Sequence, residues 1–309
     1  MRAELAARLR CPACAAPLRA DGDGLRCAAS HRFPIVDGVP ELLPPALLDA
    51  TSQIDLEKLQ ERTSHDEHVQ ELDHGIAIDD RHIYPWLNYY QLFELMPRFQ
   101  ANPPRDILVA MCGSGFELEL WAQLTRDISG VDISTGSVRG ALTRAERLSL
   151  TGVFAAADIE TLPFADRAFD LVVVHHGLHH LPSIDLAVGE MLRVSRRNVL
   201  ICEPVDGPMR RMLRATRISP GVEPGGTQVR DIRPADVRRL AAAANATLVV
   251  DRELFYPRAR APRPGRVHQA ADRWHATRLL RPPLRWFNRL FGRWIGTKGT
   301  YLLEKVPTR

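Results

Sequence analysis

The amino-acid sequence predicts an α/β protein: an open sheet with helices on both faces, preceded by a small metal-stapled ribbon and a helical connector. Three observations carry this. Beyond residue 104, short apolar runs alternate with stretches of helical periodicity. The first of these runs ends in a Gly-x-Gly turn and the second in an aspartate, the arrangement in which such sheets bind ligands beyond the carboxyl ends of their strands. Near the N-terminus, three of the five cysteines and a histidine fall at the spacing of metal ligands.

The chain has 309 residues, 45% hydrophobic and 25% charged, which excludes a wholly disordered chain and suggests about two folding units. No stretch approaches the roughly 18 uninterrupted apolar residues of a membrane span. The opening text MRAELAARLRCPAC lacks an apolar signal core, and an odd cysteine count with a C-x2-C pair reads as reduced thiols in a cytoplasmic protein. Charge is uneven. Residues 251–309 hold fourteen Arg or Lys against four Asp or Glu, a formal +10, so the other 250 residues carry −6 beneath the overall +4. Such a basic end either meets an anionic partner or is a solvated surface.

Residues 1–45 form the ribbon. Cys11 and Cys14 supply one tight pair of donors; Cys27 and His31 follow after a hairpin that Gly22 and Gly24 allow to reverse. About forty residues are too few for a core of their own, so a metal is expected to staple them. Four protein donors leave no coordination position for water, which makes the site structural. The text LRCPACAAPLRADGDGLRCAASHRFPIVDGVPELLP resembles the Trm112-like zinc ribbon found at the front of some bacterial methyltransferases. The resemblance implies zinc. It departs at Ser30, where the second pair usually has cysteine; the neighbouring His31 takes its place, as in related rRNA guanine methyltransferases.

Residues 46–100 form a helical connector or lid. Leu56 and Leu59 fall at helical spacing in an acidic surface stretch, and His65 and His68 share a helical face. After Pro85, a helix carries Leu87, Tyr90 and Phe93 on one side, with Leu92, Leu95 and Met96 widening the apolar face; Trp86, Tyr89 and Tyr90 are candidates to line a pocket.

Residues 101–309 form the main domain, opening after Asn102-Pro103-Pro104. Strands are expected at Ile107–Met111, Ser129–Asp132, Phe154–Ala156, Phe169–Val174, Asn198–Cys202, Ala246–Leu254 and Thr300–Val306. Helices are expected at Phe116–Leu124, Thr135–Arg147, Leu186–Val194 and Pro234–Ala244. Cys112-Gly113-Ser114-Gly115 is the Gly-rich turn, Asp132 stands where a ribose is held, and Asp158 lies at a strand end with Ile159 beside it.

With ILVAMCGSGFE, GVDISTGSVRGA, AADIETLPFADRAFDLVVVHHGLHHL and AVGEMLRVSRRNVLICEP, the domain resembles the class I S-adenosylmethionine-dependent methyltransferases. The resemblance implies a Rossmann-like sheet. It implies that Cys112, Gly113 and Gly115 wrap the methionine part of the cofactor, that Asp132 and Ile133 meet the ribose, and that Asp158 and Ile159 meet the adenine. His175 ends the strand that faces the methyl group. Three positions depart from the family. Val109 and Met111 replace the usual acid and glycine of Asp-x-Gly-x-Gly-x-Gly, and Ser195-Arg196-Arg197-Asn198 is expected as a loop in place of Lys-Pro-Gly-Gly.

Methyl transfer from a sulfonium mainly needs alignment, with a base where the acceptor must lose a proton. His175, His176, His179 and His180 follow the fourth strand, and His176 and His180 are the candidate catalytic residues. Residues 205–233 are expected to cover the acceptor pocket as a loop. The insert at 256–297 begins irregularly, then forms a basic amphipathic helix after Pro283. Arg285, Arg289 and Arg293 lie on one face; Leu284, Phe287, Phe291 and Trp294 lie on another, with Leu290 and Ile295 beside it. Residues 284–295 are open to three readings: packing on the domain, contact with an anionic membrane, or contact with RNA. The leading reading is methyl transfer to an oxygen, nitrogen or carbon of a small-molecule or lipid-linked acceptor, by a cytoplasmic protein, peripheral to the inner membrane face if the helix meets lipid. The alternatives are an rRNA or tRNA methyltransferase and a catalytically degenerate cofactor-binding protein.

Overall fold

The computed structural model describes residues 8–49, 51–72, 83–216, 228–255 and 274–306, with the side chains of 67–72, 83–87 and 274–280 excepted. His68, Trp86, Leu87, residues 217–227 of the expected acceptor loop and the irregular start of the insert at 256–273 lie outside this description.

The ribbon has four strands: β1 (Arg19–Asp21), β2 (Gly24–Arg26), β3 (Arg32–Val36) and β4 (Val39–Leu42), each antiparallel to the next. Gly22 makes the first turn at φ +63°, a conformation glycine adopts without a Cβ penalty. The connector follows as α1 (Pro45–Leu48), α2 (Gln53–Leu72) and α3 (Ile83–Ala101). Helix α3 starts ahead of Pro85, since the first turn has no intrahelical use for that missing N–H.

The main domain contains β5 (Asp106–Ala110), α4 (Leu118–Trp121), β6 (Asp127–Asp132), α5 (Thr135–Arg147), β7 (Phe154–Ala157), β8 (Phe169–His175), α6 (Asp185–Val194), β9 (Ser195–Pro204), α7 (Pro208–Ala215), α8 (Pro234–Ala243), β10 (Ala246–Leu254), α9 (Trp274–Ile295) and β11 (Lys298–Lys305). The strand order is β1-β2-β3-β4-β7-β6-β5-β8-β9-β11-β10. From β4 to β9 the neighbours run parallel; β11 is antiparallel to both β9 and β10. This is the α/β Rossmann-like fold of class I methyltransferases, with a mixed sheet and flanking helices.

The parallel strands are continuous apolar runs because both faces are covered. Leu108, Ala110, Val172, Val174, Val199 and Ile201 face one core, with Val188 and Met191 of α6. Ile107, Val109, Leu171, Val173 and Leu200 face the other, with Leu92 and Met96 of α3 and Val138 of α5. Ser134 caps α5 by accepting a hydrogen bond from Ser137 N at 2.9 Å.

The ribbon is joined to this body through its last strand. Glu41 and Leu42 of β4 pair in parallel with Ala156 and Ala157 of β7. Leu9, Leu18, Leu25, Phe33 and Leu42 enter the same core as Ala155, Ala157 and Phe164.

Four expectations about elements change. Residues 205–233, expected as a loop, include α7 at Pro208–Ala215, and α9 begins at Trp274 and runs through Pro282 and Pro283 instead of starting after Pro283. Ser195–Asn198 is not a loop: α6 runs directly into β9, and Arg196 ties that end of the strand to Asp106 and, at 2.9 Å, to Asp170. The helix expected over Phe116–Leu124 shortens to Leu118–Trp121.

At the amino ends of the inner strands, Asp170 of β8 is 1% exposed and accepts from Arg105 N, Arg105 Nε (both 3.0 Å) and Arg196 Nε. Burial alone would raise the Asp170 carboxyl, but the two guanidiniums and the backbone N–H outweigh it and hold it far below the usual aspartate range. A depressed folded-state pKa contributes stability above the unfolded value, and that contribution is lost as pH falls through the folded one. Asp170→Asn should therefore cost about 2 kcal/mol at pH 7. The gap to wild type, read by urea unfolding, should narrow as pH drops below about 4.

Candidate functional site

The carboxyl ends of β5, β6, β7 and β8 open into one cleft. After β5 the chain turns through Met111, Gly113 and Gly115, all at positive φ (55°, 50° and 78°). A Cβ on Gly115 would lie 2.9 Å from the Cα of Ala141 in α5, so this glycine permits the close approach of helix and turn. At the end of β6, Asp132 accepts from Gly113 N at 2.9 Å and from Ser134 N at 3.0 Å, which locks its carboxylate beside the glycine turn. Burial raises the Asp132 carboxyl above the ordinary aspartate value.

The histidine loop divides between the cleft and the core. His175, His176 and His180 line the cleft with Cys112, Gly113, Phe116, Glu117 and Ile133 around about 310 Å³. His179 points the other way. Its Nδ1 donates to the buried carboxylate of Glu203 at 2.8 Å, and the same carboxylate accepts from Gly177 N and Leu178 N at 2.6 and 2.7 Å. Burial works against the Glu203 charge, yet the His179 ring and the two N–H groups prevail and hold its pKa below the usual value. The rings of His175 and His176 stack at 4.3 Å, and Tyr89 of α3 lies 5.1 Å from His175. Glu117 Oε2 sits 3.4 Å from His175 Nδ1, and His175 Nε2 is buried with no hydrogen-bond partner.

A second, tighter compartment shares Met111, Ile133, Glu61 and His180 with the first and extends over Val131, Ala157, Asp158 and Ile159. Met111 stands at the neck between them. The bulk that it adds over a glycine is accommodated by Gly177, where a Cβ would come within 2.7 Å of the Met111 sulfur. Val109 is fully buried among apolar residues of the sheet and lines neither compartment, so the acid usual at that position has no counterpart there.

Helix α2 roofs both compartments. Lys58 Nζ donates to Asp158 Oδ2 at 2.7 Å and also bonds Glu160. Burial opposes its charge, but the two carboxylates raise its pKa. Glu61 bridges His65 (2.8 Å) and His180 (3.3 Å). Asp66 accepts from Ser134 Oγ and Gly136 N at 2.6 and 2.7 Å, and Arg62 reaches Glu41 at 2.9 Å. Almost every tie is polar, and Ile54 and Leu56 remain exposed.

The sequence-predicted residues Cys112, Gly113, Asp132, Ile133, His175, His176 and His180 meet in the wider compartment, and Asp158 and Ile159 in the tighter one; Gly115 supports the turn from behind. Tyr89 lines the cleft as expected, whereas Tyr90 is buried against Phe93, Leu254 and Leu284. Sequence reading missed Lys58, Glu61 and Glu117 altogether and left His65 as a surface residue. Glu117 carried one legible signal: it is an acid two residues past the glycine turn, at the start of α4.

The ribbon brings its four predicted ligands together. The donor atoms of Cys11, Cys14, Cys27 and His31 all lie within 4.8 Å of one another, and no other such His, Cys, Asp or Glu group occurs among the described residues. Cys14 Sγ is 3.7 Å from Cys27 Sγ, and His31 Nδ1 is 3.5 Å from Cys11 Sγ and 3.4 Å from Cys27 Sγ. A tetrahedral zinc with bonds of about 2.3 Å to sulfur and 2.05 Å to nitrogen has edges of about 3.8 Å and 3.6 Å. The donors therefore fit such an ion, and the sulfurs stand too far apart for a disulfide.

Residues 108–202 match the family model described as a methyltransferase domain. Among curated proteins, the chain is 31% identical over 115 residues to a demethylmenaquinone methyltransferase of Renibacterium salmoninarum, covering 36% of this chain and 47% of that protein. It is 29% identical over 168 residues to a probable S-adenosylmethionine-dependent methyltransferase of Mycobacterium tuberculosis, covering 54% of each. The chain thus spans about half the length of these relatives. Among solved structures, it is similar to the [4+2]-cyclase SpnF, with TM-score 0.51 and 16% identity over 82% of this chain and 96% of that one. It is also similar to a chain in the Haloferax volcanii complex that contains the Trm112 methyltransferase activator, with TM-score 0.50 and 13% identity over 79% and 98%. At these identities the structural likeness speaks to the fold alone. Family match and strand order agree: the sheet and cleft are those of a class I methyltransferase fold.

Proposed function

We propose that this protein is a cytoplasmic enzyme that moves a methyl group from S-adenosylmethionine to an oxygen, nitrogen or carbon of a small or lipid-linked metabolite. A structural zinc ion staples its ribbon. The observation that carries the reading is the Asp132 carboxylate, fixed by two backbone N–H groups at the rim of the cleft and facing the Gly113–Gly115 turn. A carboxylate has about four lone-pair sites. Two are used, and the others are available to ribose hydroxyls.

Each end of the cofactor finds a chemically suited group. Glu117 supplies the acid that Val109 removes and would hold the methionine ammonium. Asp158 would accept from the adenine amino group in competition with Lys58, which keeps Glu160 as a second partner. The cofactor supplies a methyl group already activated on sulfur, so the protein's task is alignment. His176 and His180 are the residues to take an acceptor's proton, and Glu61 beside His180 would stabilise the resulting imidazolium. All five cysteines are unpaired, as suits a reducing compartment.

Calorimetric titration with S-adenosylhomocysteine, followed by labelled-methyl transfer to small nucleophiles, tests the reading. One-to-one binding is expected; a folded sample that binds nothing overturns it. Asp132→Asn should weaken that binding by about tenfold or more. Because burial raises the wild-type carboxyl, its ionised form costs stability in the ligand-free protein once pH exceeds about 4. The same variant should therefore melt close to wild type at pH 7.

Glu117→Gln should weaken S-adenosylhomocysteine by about tenfold yet leave 5′-methylthioadenosine, which lacks the amino-acid part, unaffected. Equal losses for the two ligands would remove Glu117 from that role. For the ribbon, elemental analysis should find one zinc per chain. Cys14→Ser should release it and expose the first forty or so residues to protease.

A further inference from the structure

Helix α9 has its rotation fixed by one side. Asn288 exchanges hydrogen bonds with the Phe255 backbone, accepting at 2.7 Å and donating at 3.1 Å. A Cβ on Gly292 would lie 2.4 Å from the Glu253 carbonyl oxygen, so that glycine seats the helix directly on β10. Leu284 packs with Tyr90, and Arg285 pairs with Glu94 of α3. The apolar residues grouped in the sequence divide: Leu284 packs inward beside the inner positions Asn288 and Gly292, while Phe291 and Trp294 are exposed.

The opposite side cannot turn inward. It presents Trp286, Leu290 and Trp294 one helical turn apart, 65%, 52% and 76% exposed. Arg289 and Arg293 lie along the same arc, and among the described residues neither has an acidic partner. Residues 274–295 contain no Asp or Glu. Beside α9, helix α7 exposes Met212 and Arg211.

We infer that this face docks on an anionic lipid bilayer. Tryptophan rings suit the headgroup boundary, leucine and methionine the acyl region just beneath, and arginines the lipid phosphates. A second copy of the chain is a poorer occupant, because a two-fold contact would set Arg289 and Arg293 against their own images. The inference is independent of the methyl-transfer reading, since vesicle binding needs no cofactor.

Flotation of the full-length protein with vesicles of phosphatidylcholine, alone or mixed with phosphatidylglycerol, tests it. Binding to the mixed vesicles that falls with added salt is expected, with little on the neutral ones. Arg289→Gln and Arg293→Gln should each lower partitioning about fivefold. Trp286→Ala with Trp294→Ala should abolish it, while melting temperature and S-adenosylhomocysteine affinity stay at wild type. No vesicle binding, binding that ignores lipid charge, or binding unchanged in the variants overturns the inference. So does a concentration-dependent dimer, or retention of single-stranded RNA, that the tryptophan variant loses while vesicle binding is absent.

Discussion

The buried carboxylate of Glu203 decides the shape of the cleft. A carboxylate removed from water must be paired and hydrogen-bonded or it destabilises the fold by several kcal/mol. Glu203 meets that demand with two backbone N–H groups and one imidazole, all from the loop that follows β8. Satisfying the carboxylate therefore fixes the loop. The turn bends through His176 at φ +59°, sends His179 inward and leaves His175, His176 and His180 facing the cleft. Because the carboxylate can only accept, the proton on His179 lies on Nδ1. The same turn places Gly177 against Met111, so the neck between the compartments is set at one remove by Glu203.

Helix α2 obeys a different constraint. It covers the site yet contributes little apolar contact, and its ties to Asp158, Glu160, His180, Glu41 and the start of α5 are ion pairs and hydrogen bonds. Lifting such a helix exchanges these ties for water and exposes little hydrophobic surface, which keeps the free-energy difference between covered and open states small. A core helix such as α6, with five buried apolar side chains, has no comparable freedom. The polarity that makes α2 look like surface in the sequence lets it cover the cleft without an apolar face of its own.

The parts legible from sequence are those set by local pattern. Apolar runs marked β5, β8 and β9, helical spacing gave α5 its observed bounds, and the glycine turn with Asp132 located the cleft. The four ribbon donors were legible because ligand chemistry allows few residue types and short spacings. What stayed hidden depends on distant contacts. Lys58 and Glu61 sit in an acidic stretch with no apolar stripe, and only the docking of α2 brings them to Asp158 and His180. The rotation of α9 was not legible because its inner positions are an asparagine and a glycine, which a hydrophobic pattern cannot select. Ser195–Asn198 were read as a loop because they stand where the resembled family has Lys-Pro-Gly-Gly, although Arg196 ties the strand start to the buried Asp170 and to Asp106.

The parallel pairing of β4 with β7 has a consequence for how the protein fails. An open sheet has two outer strands whose unpaired backbone groups can recruit another chain. On this side the ribbon's last strand covers β7, with β3, β2 and β1 continuing beyond it, so the apolar run Phe154–Ala157 is never an outermost strand while the ribbon holds. Loss of the ribbon would bare an edge of alanines and phenylalanine and uncover the core residues that Leu9, Leu25 and Phe33 share. Damage at the N-terminus would then offer a sheet edge that can recruit another chain.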